Sequence, residues 1–193
     1  MTRCSWVKID NLLYVAYHDK EWGKPLHEEQ ALFELLCLET YQAGLSWETV
    51  LNKRAAFRQA FHNYDIKKVA QMTNQDLDAL LDNPSIIRHR AKLYATRANA
   101  QAFLKVQAEF GTFDRFIWSY VNGQPRVNTV VDYHQVPAQT ALSQQISKDL
   151  KKRGFKFVGP VCIYSFMQAT GLINDHEDEC EWKWNLLKKE WWK

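Results

Sequence analysis

The chain has 193 residues, of which 46% are hydrophobic and 24% charged, and a formal net charge of +3. That length supports one sizeable core, and the composition excludes a disordered chain. No apolar run reaches the ~18 residues of a membrane helix, and the first ten residues lack the apolar centre of a secretory leader, so a cytoplasmic chain with no membrane partner is expected.

Nearly every segment reads at helical spacing, which predicts an all-α fold. Leu32, Leu35, Leu36 and Leu38 set a helix over 28–39. Ser46 is an N-cap for a helix using Trp47, Val50, Leu51, Phe57 and Phe61. Thr73 and Asp76 form a capping box before Leu77, Leu80 and Leu81. A long helix runs from about Arg88 to Phe110 and stops at Gly111. Further helices fit 113–121 and 138–153, and Gly159-Pro160 opens an apolar helix ending at Gly171. Residues 122–137 read as a long loop. Residues 1–180 are expected to form one compact domain. The 181–193 tail, with Trp182, Trp184, Trp191 and Trp192, is expected to be an amphipathic helix docking on the core.

Several groupings bear chemistry. The four cysteines of a cytoplasmic chain suggest thiols or metal ligands before disulfides. Cys4 and His18 near one end, with His176 and Cys180 (spaced H-x3-C) near the other, are either unrelated or a closed tetrahedral zinc site clipping the termini together. Tyr14, Tyr17 and Trp22 sit among polar residues and read as core or as the wall of a wet cleft. Glu39 ends an apolar helix and is either solvated there or held by a hydrogen-bonding partner. Residues 80–90, with Asn83-Pro84-Ser85 between two helices, resemble a helix–hairpin–helix whose amides around Ile86, Ile87 and Arg88 hold a DNA phosphate, with Arg90 adding charge. Lys151-Lys152-Arg153 reads as a solvated helix end or a basic patch.

Together, Arg3-Cys4-x-Trp6, Tyr17-His18-Asp19-x-Glu21-Trp22-Gly23, Gln42-Ala43-Gly44-Leu45-Ser46-Trp47, Ile86-Ile87-Arg88-His89-Arg90, Lys151 to Gly159, Ser165-Phe166-Met167-Gln168 and Asn174-Asp175-His176 resemble the 3-methyladenine DNA glycosylase I family of the helix–hairpin–helix superfamily. The resemblance implies a monomeric enzyme that flips 3-methyladenine out of double-stranded DNA and hydrolyses its N-glycosidic bond, leaving an abasic site and free base. It implies one structural zinc on Cys4, His18, His176 and Cys180. Glu39 and Tyr17 would be catalytic, with Trp47, Tyr14, Trp6, Trp22 and Ser165 around the base. Gln42, Gly44 and Leu45 are then the wedge that fills the vacated stack; their other reading is an ordinary turn with Leu45 in the core.

Three departures from the family pattern stand out: the insertion around Asn11-Leu12-Leu13, expected to reshape the pocket entrance; Thr40-Tyr41, expected to narrow the site; and the long tail. Two other functions compete, a non-catalytic zinc-stapled DNA-binding module and a zinc hydrolase. The closed ligand count opposes the second.

Overall fold

A computed structural model describes residues 2–183, and helices dominate it in the expected order. Helix α1 (Leu12–Lys20) begins at Asn11, whose side chain accepts the Leu13 and Tyr14 amides. Helix α2 (Glu29–Gln42) is buried without a break from Leu32 to Tyr41, so it is the axis of the molecule rather than a surface helix. Against it pack α7 (Arg90–Phe110) and α10 (Pro160–Ala169). Helix α5 (Ile66–Gln71) lies along α7, and α9 (Ala141–Lys152) lies along α10. Tyr41, Phe57, Phe61 and Tyr64 form a stacked column in the core, closest at Tyr41–Phe57 with centroids 4.2 Å apart.

Local chemistry moves several boundaries. The helix expected from Ser46 through Phe61 breaks at Lys53 into α3 (Trp47–Asn52) and α4 (Arg54–Ala60). The capping box of Thr73 and Asp76 forms as expected and opens α6 (Asn74–Ala79). Helix α7 starts at Arg90 rather than Arg88, because the His89 side chain accepts the Lys92 amide and makes His89 the cap. Helix α8 (Phe113–Ser119) stops two residues short of expectation. Helix α9 starts at Ala141, where Thr140 and Ser143 form a reciprocal cap.

The helical class holds, with one short ladder added to it, and one expectation about the site is corrected. Strands β1 (Arg126–Val127) and β2 (Ile173–Asn174) form a two-residue parallel ladder that ties the 122–137 loop to the segment holding Asp175 and His176. Thr40 and Tyr41 do not narrow any site. The Thr40 hydroxyl donates to the Cys37 carbonyl, and the Tyr41 hydroxyl meets Thr96 at 2.9 Å inside the core. At the Asn11 insertion, Leu12 and Leu13 are exposed while Tyr14 turns inward. Of the expected 181–193 helix, residues 181–183 are helical and Trp182 packs against the core; the rest lies outside the described residues. No helix among the described residues is long and apolar enough to cross a membrane.

Candidate active site

The helices converge on a cavity of about 200 Å³. Helix α1 contributes Tyr14 and Tyr17, three residues apart on one face, and the turn after it contributes Trp22. The last turn of α2 brings Glu39 and Gln42, and α3 opens with Trp47. Helix α10 adds Ser165 and Gln168, while Trp6 and Tyr133 close the walls. The volume lies below the ~300–1,000 Å³ of pockets for drug-sized ligands. It takes one small ring system rather than a whole nucleotide.

Glu39 is not a solvated helix end. Helix α2 continues to Gln42, which leaves Glu39 4% exposed and its Oε2 without a hydrogen-bond partner among the described residues. Burial raises its pKa from the usual carboxylate value to about 8. The indole N–H groups of Trp6 and Trp47 are likewise buried and, among the described residues, unpartnered. Leaving such groups unpaired costs about 1–3 kcal/mol each, a cost that a ring with complementary polar edges relieves. The Tyr17 and Trp47 rings lie 5.0 Å apart, and burial holds the Tyr17 hydroxyl protonated well beyond its normal range.

Two lining residues, Tyr133 and Gln168, were given no role by the sequence. The Tyr133 hydroxyl donates to Gln168 Oε1 at 3.3 Å, and Gln168 Nε2 donates to Asp175 Oδ2 at 2.8 Å. Tyr164 and Asn128 also donate to Asp175, at 2.7 and 2.6 Å. A carboxylate only accepts, so Asp175 fixes the Gln168 amide with its oxygen toward Tyr133. The i, i+3 spacing of Ser165 and Gln168 was the available signal for one of the two. Tyr133 opens a single 3-10 turn (Tyr133–Gln135) within the 122–137 segment and carried none. Glu177 places it by accepting its backbone N–H at 3.0 Å.

Behind the aromatic wall, Cys4, His18, His176 and Cys180 come together from both ends of the chain. All four are buried, and their ligand atoms lie within 4.8 Å of one another. His176 Nδ1 is 3.3 Å from Cys4 Sγ and 3.5 Å from Cys180 Sγ, and His18 Nε2 is 3.6 Å from Cys180 Sγ. Bond lengths of about 2.0–2.3 Å to a tetrahedral zinc give ligand–ligand edges of about 3.3–3.8 Å, so the donor set fits that ion. The outer nitrogens are also held, His18 Nδ1 by Asp19 at 2.8 Å and His176 Nε2 by the Trp22 carbonyl at 3.2 Å. The closeness of Cys4 and of both histidines holds the Cys180 thiol below its normal range, while the same neighbouring thiol and burial hold Cys4 above it.

The wedge segment is not core. Gly44 adopts φ +78°, and Leu45 at the loop tip is 39% exposed. Buried Lys92 supports the loop by donating to the Tyr41 and Ala43 carbonyls at 2.9 and 2.6 Å, a cation at a helix C-terminus that sequence reading missed. In the hairpin, Lys53 donates to the Pro84 and Ser85 carbonyls and Ile86 is buried. Among the described residues, the Ile87 and Arg88 amides have no protein acceptor, and the Arg88 side chain is exposed without a partner. Arg90 is less free than expected. It pairs with Asp78 at 2.9 Å and stacks on Tyr94, bracing α6 against α7.

Comparison with known proteins finds a matching family and close relatives. The pattern of the Methyladenine glycosylase family matches residues 6–183. The DNA-3-methyladenine glycosylase of Haemophilus influenzae is 52% identical over 182 residues, 94% of this chain and 98% of its own. DNA-3-methyladenine glycosylase 1 of Escherichia coli K12 is 50% identical over 180 residues, 93% of this chain and 96% of its own. The solved 3-methyladenine DNA glycosylase I of Staphylococcus aureus, described for its recognition of 3-methyladenine, superposes with a TM-score of 0.91 at 44% identity, covering 95% of this chain and 97% of its own.

Proposed function

This chain belongs to the methyladenine glycosylase family, and from that premise we propose how its own residues act. It is a DNA-repair hydrolase that excises 3-methyladenine. The observation that carries the assignment of roles is the buried, unpartnered Glu39 oxygen in a ring-sized aromatic cavity.

The lesion is a cation while joined to its sugar, so its glycosidic bond is already weak. The flipped base enters the cavity at an unstacking cost of a few kcal/mol. There the faces of Trp47, Trp6 and Tyr17 attract the positive ring, each contact being worth up to ~2 kcal/mol when desolvated. Glu39 holds its proton in the empty cavity at neutral pH, and the incoming cation favours the charged form, so the carboxyl releases that proton to solvent, accepts from the base edge and offsets the charge. The C1′–N9 bond breaks with its electron pair leaving on the base, which becomes neutral. A water oxygen then bonds C1′ and releases a proton to solvent. Residues that hold and desolvate the base therefore do most of the work, and no strong acid is required.

Cys4, His18, His176 and Cys180 are proposed to hold one zinc ion. A four-ligand site has no open position, so the ion would supply cross-linking of the termini and no reaction chemistry. Leu45 and Gln42 are proposed to fill the vacated stack, with the Ile87 and Arg88 amides on a backbone phosphate. Release of free 3-methyladenine from methylated duplex DNA is the direct test. A protein that bound such DNA and released no base would match the non-catalytic module instead.

A further inference from the structure

One aromatic residue outside the pocket is held in a conformation that aromatic residues seldom adopt. Phe157 has φ +57° and is 39% exposed. Both of its neighbours are anchored by buried polar side chains. Asn99 of α7, fully buried, accepts the Lys156 N–H at 2.7 Å and donates to the Lys156 carbonyl at 3.2 Å. Ser147 of α9, also buried, donates to the Val158 carbonyl at 2.6 Å. Phe155 and Val158 fill the core. The chain thus dips inward on each side of Phe157 and presents Phe157 itself at the surface. Strain of this kind persists where the surroundings over-determine it, and it clusters at functional sites.

The position of the ring explains what it is presented to. Phe157 lines a cleft that shares Glu39, Gln42 and Ser165 with the base pocket. Leu45 of the wedge loop and Val161 of α10 line the same cleft and are also exposed. On its other side, Phe157 meets the ring of His89, the cap of α7, edge-on with centroids 6.3 Å apart. Phe157 therefore stands between the wedge loop and the start of the second hairpin helix, with exposed Lys156 beside it in sequence. A base seated in the pocket is still joined to its sugar and both phosphates. The nucleotides next to it must then cross the rim that this cleft forms.

We propose that Phe157 is a DNA-contacting residue, its ring packing on a nucleotide adjacent to the flipped lesion, across the cleft from Leu45. This rests on the glycosylase reading above, since it needs a duplex over the pocket mouth. Stacking of a base on an aromatic ring tolerates any sequence, which suits an enzyme that must meet its lesion in every context.

The test compares F157G, F157L and F157Y with the unaltered protein. Glycine takes a positive φ without strain, so F157G is expected to keep its thermal midpoint. Its kcat/KM on duplex containing 3-methyladenine, and its affinity for duplex carrying an abasic-site analogue, should each fall about tenfold. Affinity for free 3-methyladenine should not change, and F157Y should restore duplex binding better than F157L. Unchanged duplex affinity in F157G would overturn the proposal, as would an equal fall in free-base affinity, which would make the ring part of the pocket. If F157G proved unstable, equal duplex affinities of F157L and F157Y would overturn it. Failure of the unaltered protein to release base would sink the activity itself, an outcome distinct from a defect confined to the variants.

Discussion

The indole of Trp22 meets the imidazole of His176 edge-on, with centroids 4.6 Å apart, and the Trp22 carbonyl accepts the His176 Nε2–H. One residue is therefore both a wall of the base cavity and a support for the metal-type cluster. The hydrogen bond fixes the imidazole tautomer with Nδ1 free toward Cys4 and Cys180. Trp6 extends the same relationship, lying 4.8 Å from Trp22 and 5.3 Å from His18. Whatever joins the two ends of the chain also backs the pocket.

Zinc analysis of protein purified without chelator is expected to give about one ion per chain. Cys180→Ala should remove the ion and lower the thermal midpoint, costing a few kcal/mol rather than the whole stability, because the core around α2 does not depend on the clip. Excision measured well below the midpoint should persist. Metal-free protein with full stability would refute the clip.

Arg88 and Arg90, both expected to contact DNA, are expected to part company. Arg88 has no protein partner among the described residues, so Arg88→Ala should weaken duplex binding of every sequence and reduce the salt slope by about 1. Arg90 is tied to Asp78 and Tyr94, so Arg90→Ala should act first on the packing of α6 against α7. Its thermal midpoint should fall slightly, since so exposed a pair is worth about 1 kcal/mol or less. Equal salt slopes for Arg88→Ala and the unaltered protein would take that side chain off the phosphate.

What the sequence made legible was largely local. The caps at Ser46 and Thr73, the stop at Gly111 and the proline opening of α10 are short-range chemistry, and they fall where expected. The burial of Glu39 was not legible, because nothing near it announced that α2 would run on to Gln42 beneath other elements. Tyr133 reaches the pocket through Glu177, 44 residues away, and a two-residue ladder has no periodicity to read. The cluster of cysteines and histidines was recognisable by residue type, but only folding closes a gap of 172 residues between Cys4 and His176.

Gln168 is expected to act through Tyr133. Gln168→Leu removes the acceptor that orients the Tyr133 hydroxyl, and Tyr133→Phe removes the hydroxyl itself. Each should reduce free-base affinity by an amount typical of one neutral hydrogen bond, about 0.5–1.5 kcal/mol. The double variant should lose little more than either single one. Additive losses would show that the two side chains act on the base independently.

Glu39→Gln is expected to weaken activity and strengthen the fold, with opposite signs that pH separates. The folded protein raises the Glu39 pKa to about 8, against the ordinary glutamate value of 4.5, through burial alone, and the nearby Tyr14, Tyr17, Tyr133 and Cys162 are all pushed up and stay neutral over this range. A carboxyl whose folded pKa is raised costs nothing below its unfolded value. The cost then grows as pH climbs from about 4.5 and levels off above 8, because folding must either keep the proton or bury the charge. At pH 7 it reaches a few kcal/mol, at about 1.4 kcal/mol for each pH unit. Glutamine keeps the shape and has no charge to bury, so Glu39→Gln should unfold at higher temperature than the unaltered protein at pH 7–8 and at nearly the same temperature near pH 4.5. In the same variant, excision and free-base binding should fall, because a donor replaces one acceptor and the attraction to a cationic base is lost. Affinity for undamaged duplex should barely change, since phosphate contacts lie elsewhere. Full excision by Glu39→Gln would remove the residue from the base-binding role, and a stability difference independent of pH would show that its carboxyl does not titrate as the buried site requires.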